Sequence, residues 1–282
     1  MTEREPFGQA VRRAVSPTAI PALLAVPVAL IAVFTLPAAT RQSLGFSHAD
    51  PTLVSAYTAH FVHLNATHLG VNLAVYLTVA PVVYLTSALG ERERLFTVAF
   101  TAYLLAFPFV LSALNLALAR NAVEFGFSGI AMALFGLLPL SLSAFASVRL
   151  DDDLDTSESP ALFFIALAAI ALVADPTDPR TVGIGVTAAL AAMLYSGRVL
   201  GQLRLPGRSG MRRAADRAGD FELATVGSLL LVAVPLIAFG GSAPAVGVTN
   251  SYVHLLGFAL GYVPAYVTVT VAEHSSPVGV DI

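Results

Sequence analysis

A serine hydroxyl and a histidine imidazole become a nucleophile and its base wherever a fold brings them together within reach of a carbonyl. Three segments carry residue types suited to that chemistry. The first, FVHLNATHLGVN, contains His63, His68 and Asn72. His68 and Asn72 are four residues apart, so on a helix they share a face one turn from each other. The second, GFSGI, sets the Ser128 hydroxyl between Gly126 and Gly129, where a backbone can approach closely. The third, NSYVHLLGFALGY, spaces His254, Gly257 and Gly261 at i, i+3 and i+7, on one helical stripe. Each also has a plainer reading: His63 at headgroup level, His68 and Asn72 in an interhelical hydrogen bond, GxSG as a packing contact, and His254 bonded to a carbonyl beside packing glycines.

The elements that must position these groups are helices in a membrane. Hydrophobic residues make up 56% of the 282, charged residues 12%, and the mean hydropathy is +0.78. Soluble domains carry about 25% charged residues, so this chain has more apolar surface than a water-soluble volume can enclose. A net charge of -3 and a pI near 6.0 argue against a nucleic-acid partner. The absence of cysteine removes disulfides, thiolate metal sites and cysteine-protease chemistry, and no metal or other cofactor is expected. All 15 basic residues are Arg; with abundant Ala, Val and Asp, this composition suggests a GC-rich, salt-adapted prokaryotic source.

Apolar runs long enough to cross about 30 Å of hydrocarbon fall at 18–37, 67–87, 95–118, 128–148, 160–175, 181–200, 222–240 and 250–272. The expected fold is therefore all-α, a polytopic membrane bundle of eight transmembrane helices. Residues 1–17 form an N-terminal flank, 18–272 the membrane domain and 273–282 a tail. The first run is long enough to read as a span rather than a cleavable signal peptide. No strand is expected before Ser128, which excludes the strand-to-helix nucleophile elbow of soluble hydrolases.

Orientation follows the arginines. With eight spans and a cytoplasmic N-terminus, only Arg41, Arg120 and Arg180 fall outside, leaving twelve of the 15 inside. The second, fourth and eighth spans then all start at the outer face. His68 and Asn72, Ser128 and His254 each lie near the start of their span, at one shared depth. In that arrangement Ser128 is the nucleophile and His254 its base. Asn72, His68 and the Ser128 N–H can face an oxyanion. No intramembrane carboxylate is placed to orient His254, Glu124 lying in the loop before Ser128, so the machinery is a Ser–His dyad.

The set H63-x4-H68-x3-N72, G126-x-S128-G129 and H254-x2-G257-x3-G261, in this order, resembles the rhomboid intramembrane serine proteases over about residues 61–262. The resemblance implies Ser128 as nucleophile, His254 as base, and His68 and Asn72 at the oxyanion. It implies Gly257 and Gly261 bringing the last span against the serine helix, with His63, Gly126 and Gly129 supporting. It also implies a long external first loop, here 38–66, and single-span transmembrane proteins as substrates. The expected location is the cell membrane, with both termini cytoplasmic and the site towards the outside; nothing in the sequence gives the oligomeric state. The chain departs from the family in carrying an extra helix pair between about 160 and 240, in Met132 where an aromatic often follows the serine, in Val253 before the histidine, and in having no Trp. Other readings of the same residues are a catalytically inactive relative that binds membrane helices, a small transporter, and a haem-binding bundle using His68 and His254.

Overall fold

A computed structural model describes residues 5–117, 122–150, 154, 156–202, 218–240 and 251–275. Arg4, Arg120, the arginines from 204 to 217, most of the acidic stretch after Leu150 and the tail from 276 lie outside the described residues.

The apolar runs fold as helices: α1 (Phe7–Ala14), α2 (Ala19–Phe34), α3 (Ala38–Ser43), α4 (Leu53–Thr58), α5 (Ala66–Leu89), α6 (Glu93–Leu105), α7 (Phe107–Asn115), α8 (Ser128–Arg149), α9 (Ser159–Ala174), α10 (Pro179–Gln202), α11 (Asp220–Phe239) and α12 (Ser251–Ser275). Among the described residues, five stretches are long and apolar enough to cross a membrane unaided: α5, α8, α9 with the 3-10 turn before it, α11 and α12. Two bent pairs, α1 with α2 at 73° and α6 with α7 at 53°, raise the number to seven if each is one span. Five to seven of the expected spans are thus present among the described residues, as a helical membrane bundle requires. The run at 18–37 yields only the 16 residues of α2, about 24 Å of helix. The run at 95–118 breaks at Ala106, where Pro108 in the first turn of α7 removes an N–H and crowds the preceding turn. The run at 181–200 becomes the 24-residue α10, with Arg180 and Arg198 towards its two ends. The run at 160–175, the shortest, is long and apolar enough to cross.

One correction concerns strands. Phe46–Ser47 pairs antiparallel with Val123–Glu124, so a two-residue strand does precede Ser128. It ties the first loop to the segment that delivers the serine, and the His48 N–H donating to the Ala122 carbonyl at 3.0 Å extends the tie.

The central helix is α8, buried almost end to end. Against it α5 runs parallel: Tyr76 meets Phe127, Thr86 Oγ1 donates to Ser141 Oγ at 2.9 Å, and Gly90 abuts the Phe145 backbone. Also parallel is α12, whose Gly257 and Gly261 face Gly129 and Ala133. The helices between them alternate in direction. Phe163 of α9 stacks on Phe258 at 4.8 Å and on Tyr262 at 4.3 Å, while Ser159 shares a 3.1 Å hydrogen bond with the Tyr262 hydroxyl, so α9 is antiparallel to α12. Turning back over α9, α10 sets Gly185 near Leu172 and Tyr195 near Phe164. α11 runs opposite to α8, with Asp220 at Arg149 and Gly227 at Leu142. Among the described residues, three helices thus separate α8 from α12, and α12 still points the same way as α8.

At the end of the bundle remote from Ser128, the Arg149 guanidinium donates to both carboxylate oxygens of Asp220 at 2.9 Å, with both side chains buried. A third bond reaches the Glu5 carbonyl at 3.2 Å. The N-terminal flank is docked here: Ala10 is buried and Phe7 lies against Gly219.

Candidate functional site

Ser128 opens α8. Phe127 takes the cap position, and its carbonyl accepts the N–H groups of Ile130 and Ala131 at 3.0 Å. The N–H groups of Ser128 and Gly129, first in the helix, therefore have no partner within it. Just before the cap, Gly126 has φ +115°, a conformation that side chains rarely adopt. A Cβ there would lie 2.6 Å from His68 Cε1 and 2.8 Å from Nε2. The glycine thus lets the chain turn into α8 and lets the His68 ring rest on its backbone. Its N–H donates to the Ala59 carbonyl at 2.9 Å.

The first loop and α5 bring their histidines to the same place. Asn65 caps α5 by accepting the His68 N–H at 2.7 Å. The rings of His63 and His68 meet edge to face at 4.9 Å. His63 is fully buried, its carbonyl accepts from Arg41 at 2.5 Å, and its Nε2 accepts the Phe127 N–H at 3.4 Å. Burial first, and nearby His68 second, lower the His63 pKa from 6.5 to about 3. The ring is therefore neutral at pH 7, as an acceptor of an N–H must be. Asn72 is buried and turned along its own helix, Nδ2 donating to the His68 carbonyl at 2.9 Å.

α12 approaches α8 closely along its glycines. A Cβ on Gly257 would strike the Gly129 carbonyl oxygen, one on Gly261 the Ala133 carbonyl, and one on Gly136 the Phe258 carbonyl. Val253 Cγ1 lies 2.7 Å from where a Cβ on Gly129 would be. Met132 is buried beside Gly257, and the Tyr103 hydroxyl donates to the Gly261 carbonyl at 2.7 Å. Gly257→Ala is expected to force the two backbones apart at a cost of about 1–3 kcal/mol, the usual range for overpacking, read as a lower thermal midpoint in detergent.

His254 sits one turn before Gly257, buried, within electrostatic range of His68. Its Nδ1 is 3.1 Å from the Ala238 carbonyl, and its ring meets Phe239 edge-on at 5.5 Å. Among the described residues, no hydrogen bond joins it to Ser128. Their helices nonetheless touch backbone to backbone at this level, with Ser128 and Val253 lining one cavity.

That cavity brings in residues the motifs did not reveal. His60, Ser112, Asn115 and Glu124 line it with Ser128 and Val253. The Ser112 hydroxyl lies 2.9 Å from the Ala56 carbonyl and shares a 3.0 Å hydrogen bond with His60 Nε2. Asn115 approaches His48 at 3.4 Å, and the Glu124 carboxylate lies 3.8 Å from His48 Nε2. Ser112 and Asn115, three apart in an apolar run, carried the one signal available, a shared helical face. The volume open to water is about 30 Å³, enough for one or two molecules beside polar partners.

No cluster of three metal-ligating side chains occurs among the described residues. Compared with known protein families, characterised proteins and solved structures, the chain matches none.

Proposed function

We propose that the chain is an intramembrane serine endopeptidase of rhomboid type, cutting peptide bonds in or near the transmembrane helices of single-span proteins. The observation that carries this reading is the glycine seam. It holds the serine end of α8 against the histidine end of the parallel α12, beside His68 and next to a small cavity of mixed polar and apolar lining.

In the reaction, Ser128 Oγ attacks the scissile carbonyl and its proton passes to His254 Nε2. The oxyanion lies near the N–H groups that open α8, with His68 and Asn72 alongside; losing one such donor typically costs about 2.7–4 kcal/mol. His254 then protonates the leaving amine, and a water from the cavity hydrolyses the acyl-enzyme by the same route. A substrate helix must unwind locally, because its freed backbone groups are costly to leave unpaired in hydrocarbon. Cleavage therefore favours helix-weakening residues near the membrane boundary. We further propose eight crossings, counting α10, with both termini cytoplasmic and the site towards the outside, as the arginine distribution favours.

A serine-directed fluorophosphonate tests the reading. Ser128 should be labelled in wild-type protein, and His254→Ala should suppress labelling by about 10²–10⁴-fold, the usual contribution of a general base. A wild-type protein inert to the probe would favour an inactive relative that binds membrane helices, the reading to which the missing Ser128–His254 hydrogen bond lends its weight.

A further inference from the structure

A base that accepts a proton through Nε2 needs its other nitrogen protonated and held still. Among the described residues, no carboxylate is hydrogen-bonded to His254; the partner of Nδ1 is the Ala238 carbonyl, at 3.1 Å. A carbonyl can only accept, so Nδ1 carries the hydrogen and the lone pair of the neutral ring is at Nε2. This carbonyl belongs to the last turn of α11, where the helix leaves its carbonyls without helical partners and carries its negative dipole end. Such an end steadies a cation, which His254 becomes once it holds the serine proton. Phe239, the next residue, fixes the ring plane from the side, edge-on at 5.5 Å and 88°. Both residues come from a helix inserted between α8 and α12 in the chain.

We propose that the C-terminal turn of α11 positions the catalytic base, with the Ala238 carbonyl selecting the Nδ1–H tautomer of His254 and Phe239 holding the imidazole in plane. The inference rests on the serine-peptidase reading. The proton of Ser128 moves to Nε2 while Nδ1–H stays with Ala238, and the Nε2 proton leaves with the amine. No redox partner or other co-reactant enters the step.

The test combines nitrogen-15 NMR of labelled histidine in micelles, assigned with His254→Gln, and fluorophosphonate kinetics. Wild-type His254 should be protonated at Nδ1 and bare at Nε2. Phe239→Ala should slow labelling of Ser128 at least about tenfold and lower kcat on a peptide substrate with KM unchanged, while Phe239→Tyr restores the rate to within about twofold. A wild-type Nε2–H tautomer overturns the proposal, as does a folded Phe239→Ala protein reacting at the wild-type rate. If Phe239→Ala does not fold, the wild-type tautomer decides. Failure of the parent reading looks different: a protein inert to the probe whose His254 is still protonated at Nδ1. That outcome overturns the proposal at Ser128, not at α11.

Discussion

Replacing Ser128 with alanine is expected to lower cleavage of a single-span substrate by roughly 10⁶-fold, the scale on which serine hydrolases lose rate when the nucleophile is removed. At about 1.36 kcal/mol per decade, that is roughly 8 kcal/mol of barrier. Stability should barely move. The hydroxyl is half-buried, borders a cavity and makes no hydrogen bond among the described residues; removing it leaves no partner stranded, and such changes usually fall within about 0.5 kcal/mol. The check is a cleavage assay in vesicles, wild type beside the alanine variant, with a thermal midpoint for each. Proteolysis surviving in the variant would refute the nucleophile.

The second large effect is on stability. Asp220→Ala removes the carboxylate that accepts both arms of the buried Arg149 guanidinium, and breaking one side of a buried ion pair costs about 3–5 kcal/mol. The bond is two-pronged, 2.9 Å on each arm, and it joins α8 to α11 where the N-terminal flank also docks. The variant should unfold at a clearly lower temperature in detergent. Replacing both partners, Arg149→Met with Asp220→Leu, should recover much of the loss, because apolar side chains of similar volume leave no unpaired charge. A double-mutant cycle reads the coupling directly. Equal losses in the single and double variants would show that the pair itself contributes little.

The sequence displayed the helices that matter most, because hydrocarbon admits few alternatives to an apolar helix. α5, α8, α9, α11 and α12 lie close to the runs from which they were expected. The bend at Ala106 was legible in Phe107–Pro108, yet an apolar run hides a break when only its length is counted. The paired strands at Phe46–Ser47 and Val123–Glu124 were not legible, being two residues each with partners far apart in the chain. For the candidate site, the motifs supplied His63, His68, Gly126, Ser128 and His254, and the glycine spacing anticipated a helix seam. His60 escaped because it sits in a 3-10 turn outside any helical stripe, and its partner Ser112 is 52 residues away. The contact of Ala238 with His254 depends on the register between α11 and α12, which no local pattern encodes.

The seam between α8 and α12 has a mechanical consequence. Most helix pairs are separated by a cushion of side chains whose rotamers can rearrange, allowing small slides and rolls. Here carbonyls of α8 touch the bare Cα atoms of Gly257 and Gly261, and a hydroxyl from α6 pins the second of these. Where the backbones touch there is little compliant material, so sliding between the two helices is expected to be small. Relative motion is expected instead along flanks where more side chains intervene.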